Sequence, residues 1–214
     1  MTERRSTAAP GSSAATIAAD LSIDRLDVIA PGAFAAAVVP LFEGARGFLG
    51  RLAMARPFGS VDGLFASARE IARTMPLDEQ LGLIDAHPRL GASPAAISPL
   101  SFVEQGYDRD AGEGASPKTA GDPGDPGDPS DPVEADRARI ATELHRLNAL
   151  YEAHFGFRYC VFVAGRSRAE LLPGLAAALD RDRDAEIARA LEAVVDIARD
   201  RYATLTDPVA ETGA

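Results

Sequence analysis

The sequence predicts an all-α fold: a single helical-bundle-like domain with a disordered N-terminal tail and an inserted acidic Gly-Asp-Pro loop. Three observations predict it. Alanine, the best helix former, is abundant, and runs such as Leu175 to Leu179 suit helices far better than strands. Apolar residues recur at helical spacing along most of the chain. Neither βαβ alternation nor a glycine-rich phosphate loop occurs. With 214 residues, 46% of them hydrophobic, the chain is long enough to bury one sizeable core.

Residues 1–20 are rich in Ala, Ser, Thr, Pro and Gly and predict a disordered tail. The folded domain is expected over 21–206, with a short tail at 207–214. Phe34, Val38, Leu41 and Phe42 share a helical face, and Leu64, Ala68 and Ile71 repeat the pattern. Leu77, Leu81 and Ile84 do so again, until Pro88 stops that helix. An insert over about 107–134 carries Gly121-Asp122-Pro123, two further copies, and Ser130-Asp131-Pro132. Proline at every third position forbids a helix, and the aspartates keep the stretch solvated. It reads as a surface loop rather than a calcium site, because no glycine-centred loop ends in a suitably placed Glu. Ile140, Leu144, Leu147 and Tyr151 form the next stripe. Tyr159 to Val163 is a short apolar run, extended or helical. Ser167-Arg168-Ala169-Glu170 reads as a capping box opening a helix. Ile187, Leu191, Val194, Val195, Ala198, Tyr202 and Leu205 mark a long last helix.

Composition excludes several functions. A net charge of −10 argues against nucleic-acid binding, which needs clustered Lys and Arg. No segment approaches the length of a membrane span. The N-terminus lacks the apolar region of a secretory signal, Arg4-Arg5 being only a weak twin-arginine echo. The last residues, Glu211-Thr212-Gly213-Ala214, form no peroxisomal tripeptide. The one cysteine, Cys160, cannot form an intrachain disulfide, so a reducing cytoplasm is expected. Three His and one Cys are too scattered for a zinc site, and no metal is expected.

Four places hold candidate chemistry. His87 follows an amphipathic helix and precedes a proline, which pushes it onto irregular backbone. A helix C-terminus favours imidazolium, suiting acid–base work near neutral pH; the bland alternative is a helix-end cap. Ser101, Glu104 and Gln105 form a polar cluster that also reads as a capping box. Phe155-Gly156-Phe157 precedes Tyr159, Cys160, Val161, Phe162 and Val163, whose backbone groups suit a flat heterocycle. Cys160 itself reads as a core residue, since apolar surroundings raise a thiol pKa. Arg201 falls about 60° from the centre of the last helix's apolar face. There it either snorkels to solvent or grips a carboxylate with parallel hydrogen bonds.

In order, these pieces resemble the 2-oxo-4-hydroxy-4-carboxy-5-ureidoimidazoline (OHCU) decarboxylase family. The matching strings are Arg56-Pro57-Phe58, His87-Pro88-Arg89-Leu90-Gly91, Ser101 with Glu104 and Gln105, Leu147-Asn148 with Tyr151, Phe155-Gly156-Phe157, and Ile197 to Tyr202. The resemblance implies an all-helical carboxy-lyase of urate degradation, without cofactor or metal and often homodimeric. It implies production of (S)-allantoin from the unstable product of hydroxyisourate hydrolysis. By the same resemblance His87 is the catalytic proton donor, with Glu104 as its partner or a substrate ligand. Pro88, Ser101, Gln105, Tyr159 to Val163 and Arg201 are substrate-binding or positioning residues. The sequence departs from the family pattern in three places. Phe48 stands for a usual Trp, Ala178-Leu179 for a common Arg-Leu, and the Gly-Asp-Pro insert lengthens the link after Gln105. Two rival readings are a non-catalytic helical module for purine-like rings and a same-fold lyase acting on another small ureido or imidazole acid.

Overall fold

The structure, a computed structural model, describes residues 17–107 and 132–207. The Gly-Asp-Pro repeat up to Asp131, most of the expected N-terminal tail and all but the first residue of the expected C-terminal tail lie outside those residues. Residues 17–20, assigned above to the tail, form a helical turn, and 132–134, assigned to the insert, are helical. Every regular element among the described residues is helical. No helix among them is long and apolar enough to cross a membrane.

The chain forms two compact units. One takes in residues up to Ala86 and from Val195 onward; the other is His87–Val194. The last helix, Arg183–Thr206, contributes residues to both.

In the first unit the helices Ile23–Val28, Pro31–Val38, Arg46–Met54, Val61–Thr74 and Leu77–Asp85 follow one another. Their core includes Leu26, Phe34, Val38, Leu41, Phe42, Leu52, Leu64 and Phe65, all fully buried. Burying each such side chain contributes about 1.5–3 kcal/mol. Phe48 packs into this core 4.8 Å from the Phe42 ring. Arg56 donates to the carbonyls of Ala53, Leu26 and Ile29 and lies over the Phe34 ring. Asp27 accepts from Phe58 N at 2.8 Å and Gly59 N at 2.9 Å. The Arg56-Pro57-Phe58 string is thus a structural staple of this unit.

Three stripes differ from expectation. Pro31–Val38 ends before Leu41 and Phe42, which are buried from the following turns. In Val61–Thr74 the buried face is Leu64, Phe65, Ala68 and Ala72, with Ile71 at its half-buried edge. In Leu77–Asp85 the buried residues are Leu83 and Ile84, while Leu77 is 49% exposed. A helix of nine residues packs through one end, so its first turn need not share the buried face.

In the second unit, Pro132–Phe155 buries Leu144, Leu147, Asn148, Tyr151 and Phe155. Gly156, at φ +80, ends it in a conformation only glycine adopts without strain. Residues 158–163 then run as irregular, non-helical backbone, so the short apolar run is not a helix. Ser167 opens Arg168–Ala178 with both halves of the predicted capping box formed.

Candidate active site

Six consecutive residues carry the first part of the site. His87 lies two residues beyond the Leu77–Asp85 helix, on irregular backbone, and is 4% exposed. The run from His87 to Ala92 contains no helix or strand, so side chains from elsewhere in the unit must hold its backbone. They do so at almost every step. Arg158 Nη1 donates to His87 O at 3.2 Å. Gln105 Nε2 donates to Arg89 O at 3.1 Å, and Gln105 Oε1 accepts from Gly91 N at 2.8 Å. Asn148 Nδ2 donates to Leu90 O at 3.0 Å and to its own helix at Leu144 O. The Tyr107 hydroxyl donates to Ala92 O, and Arg89 pairs with Glu152. Gly91 has φ +78, a conformation that favours glycine, and a Cβ there would press on Leu144 Cδ1 at 3.1 Å. The imidazole Nε2 is buried and makes no hydrogen bond among the described residues, while the residue is engaged through other interactions.

The second part is the short helix Pro99–Glu104. The capping-box reading of Ser101 and Glu104 does not hold. Ser98 is the N-cap and accepts from Ser101 N, with Pro99 at the first helical position. Ser101 therefore sits inside the helix, 1% exposed and bonded to Ser98 Oγ at 3.1 Å. Gln105 lies one turn on and shares the buried face, while Glu104, the last helical residue, is half-buried.

Tyr159 to Val163 supply the third part. Tyr151 anchors its approach, with Phe155, Phe157 and Tyr159 ring centroids 4.6, 5.6 and 5.1 Å away. Arginines take the carbonyls of this segment. Arg189 Nη1 donates to Cys160 O at 2.9 Å, and Arg166 donates to Phe162 O at 2.5 Å and Val163 O at 3.0 Å. Cys160 is 4% exposed, the expected core residue. Val161 and Phe162 are half-buried.

His87, Pro88, Ser101, Glu104, Gln105 and Tyr159 to Val163 thus belong to one unit, and Arg201 belongs to the other. Arg201 does not snorkel. It is 2% exposed, donates to Pro40 O at 2.9 Å and pairs with Glu43 at 2.8 Å. The carboxylate it grips is the protein's own. No cluster of three or more His, Cys, Asp or Glu among the described residues is placed to hold a metal ion.

Sequence reasoning passed over a buried ionic group beside this site. Glu186 is fully buried and takes hydrogen bonds from Tyr151 at 2.9 Å, Arg189 at 2.8 Å and Arg181 at 3.1 Å. Burial opposes its charge, but the bonds from Arg189, Tyr151 and Arg181 still hold its carboxyl below the usual range. The same surroundings, burial foremost, push the Tyr151 hydroxyl far above its ordinary value. The missed signal was an acidic residue immediately before Ile187, on the buried side of the last helix. Asn148 offered a similar signal on the Leu144–Tyr151 stripe, because buried polar groups need partners.

Comparison with known proteins identifies the family. A sequence model of the family described as OHCU decarboxylase matches residues 29–119 and 131–203. The Uric acid degradation bifunctional protein PucL of Bacillus subtilis (strain 168) is 29% identical over 172 residues. That match covers 80% of this chain but only 30% of the Bacillus protein. The 2-oxo-4-hydroxy-4-carboxy-5-ureidoimidazoline decarboxylase of Amia calva is 28% identical over 142 residues, covering 66% of this chain and 70% of the relative. An OHCU decarboxylase crystallised in the presence of (S)-allantoin superposes with a TM-score of 0.52 at 21% identity, over 76% of this chain and 92% of that one. An (S)-allantoin synthase does so with a TM-score of 0.57 at 17% identity, over 87% of this chain and 54% of that one. These two structures share the fold, and the family match covers most of the residues from the first helices to the end of the last: the chain belongs to the OHCU decarboxylase family.

Proposed function

We propose that this protein decarboxylates OHCU to (S)-allantoin as a step of urate degradation, with His87 as proton donor. The single observation that carries this reading is the His87–Ala92 loop. A buried imidazole is presented on irregular backbone that Arg158, Gln105, Asn148 and Tyr107 hold in place. Such rigidity is what a proton donor needs, because catalysis depends on placing the acid within hydrogen-bond reach of the reacting carbon.

The substrate carries its carboxylate on a ring carbon next to a conjugated C=N bond. As CO₂ leaves, the electron pair of the broken C–C bond forms a C=C bond to the neighbouring ring carbon, and the C=N π pair goes to nitrogen. A proton from His87 then enters at that neighbouring carbon, while the ring hydroxyl becomes the carbonyl and its proton goes to the nitrogen. The face that His87 protonates sets the (S) configuration. Donors preorganised around the ring stabilise the developing charge. The reading assigns that task to Ser101, Glu104 and the backbone of Tyr159 to Val163, with Pro88 against the ring. Gln105, with both ends of its amide on the loop backbone, acts as a positioning residue. Arg201 is committed to Glu43 and to Pro40 O, which it ties into one turn of its own unit. A guanidinium closed on the departing carboxylate would stabilise the ground state and slow the reaction. The single cysteine suits a reducing cytoplasm, and family resemblance favours a homodimer.

The test is to generate substrate in place from urate and follow the circular dichroism of allantoin. Added protein should yield an enantiomeric excess of (S)-allantoin; racemic product at the spontaneous rate would overturn the proposal. His87→Asn should lower the rate by about 10²–10⁴-fold, the usual worth of general acid catalysis, with helical content unchanged.

A further inference from the structure

Arg189 stands one side chain away from the segment to which the proposed function assigns substrate binding. Its Nε and Nη2 both close on Glu186 Oε1, at 2.8 and 2.6 Å, and Nη1 donates to Cys160 O at 2.9 Å. The guanidinium also lies over the Tyr159 ring, 4.9 Å from its centroid. Glu186 is itself locked by Tyr151 and Arg181. The last helix thus holds a cation rigidly against one peptide of an otherwise irregular segment.

A trans peptide is planar, with its C=O and N–H pointing in opposite directions. The Cys160–Val161 peptide is trans, so a carbonyl fixed on Arg189 turns the Val161 N–H away from Arg189. A charge-assisted bond at the carbonyl also polarises the peptide and strengthens its N–H as a donor. Val161 is half-buried, and no hydrogen bond from its N–H forms among the described residues.

We propose that Arg189, clamped by Glu186, is a positioning residue for the decarboxylation: it fixes and polarises the Cys160–Val161 peptide so that the Val161 N–H donates to a carbonyl or carboxylate oxygen of the substrate. This inference rests on the proposed function, in which Tyr159 to Val163 bind the substrate. Burial works against both charges, yet their mutual bonds hold the Glu186 carboxyl below, and the Arg189 guanidinium above, their ordinary values. The pair stays ionised across the working pH range, so the polarisation is permanent.

A donor that grips substrate and transition state alike sets KM and leaves kcat alone. In the full chain, Arg189→Met should therefore raise KM about tenfold, the worth of one hydrogen bond, with kcat little changed. Direct titration with (S)-allantoin should show a matching loss of affinity, and Arg189→Lys, which keeps a cation able to reach Cys160 O, should restore part of it. If Arg189→Met fails to fold, Glu186→Gln/Arg189→Met removes both charges together and should give the same KM shift. A folded variant with wild-type KM and wild-type allantoin affinity overturns the proposal. So does a fall in kcat at constant KM, because a purely structural defect only lowers the active fraction. A wild-type protein that yields racemic allantoin would instead defeat the proposed function itself.

Discussion

The last helix carries two ion-paired arginines, Arg201 buried and Arg189 half-buried, and the two are built differently. Arg201, in the first unit, has a carboxylate partner distant in sequence, Glu43, on the turn that also supplies Pro40 O. That turn bends through positive φ at Glu43 and Gly44. Arg189, in the second unit, has its carboxylate partner three residues away on its own helix, and that carboxylate is shared with Arg181 and Tyr151. The first arrangement ties together two distant parts of the chain. The other is redundant, and redundancy lets Arg189 commit a donor to Cys160 O without leaving Glu186 exposed to the full cost of a lone buried charge. A long-range pair that closes a turn serves the fold; a local pair that leaves a donor for Cys160 O serves, in the proposal above, a site.

Removing single members tests this contrast. Arg201→Ala takes away a guanidinium with a 1% exposed side chain and strips Glu43 of that partner, so it should lower unfolding free energy by about 3–5 kcal/mol. Urea unfolding would measure it, and a cost below that of any Glu186 variant would break the comparison. Glu186→Gln keeps a hydrogen-bonding side chain within the cluster and should cost about 1.5–3 kcal/mol at neutral pH, the worth of bonds to a charged group. Its pH dependence sharpens the point. A carboxyl whose folded pKa is lowered contributes stability that is present above its unfolded value and is lost as pH falls through the folded one. The gap between wild type and Glu186→Gln should therefore narrow as the medium is made acid, and a gap that widens would contradict the ionised cluster. Ser167→Ala, which removes an exposed capping box apart from both arginines, should cost about 1 kcal/mol and leave kcat and KM untouched.

Much of the molecule could be read in advance wherever the rule at work is local. The capping box at Ser167, the stop before Pro88 and the long last helix all depend on neighbours within a turn or two. His87 on irregular backbone followed from the proline beside it. Short elements were less legible. Ser101 and Glu104 matched a capping pattern, but Ser98 lay one turn earlier, before Pro99, and took the cap. The Leu77 stripe misled because a nine-residue helix buries only the turn that meets its neighbours.

What the amino-acid order alone established is the helical class, the break at His87-Pro88 and the candidate residues in their order along the chain. What those residues do to one another was decided only in three dimensions. Gln105 reaches back 14 positions to hold Gly91, Arg158 reaches 71 to His87, and Arg201 reaches 161 to Pro40. Periodicity reports which face of a helix is apolar, because that depends on the few residues around it. It cannot report which buried donor meets which acceptor, because that pairing is set by how separate elements pack and by the cost of leaving any buried polar group unmatched.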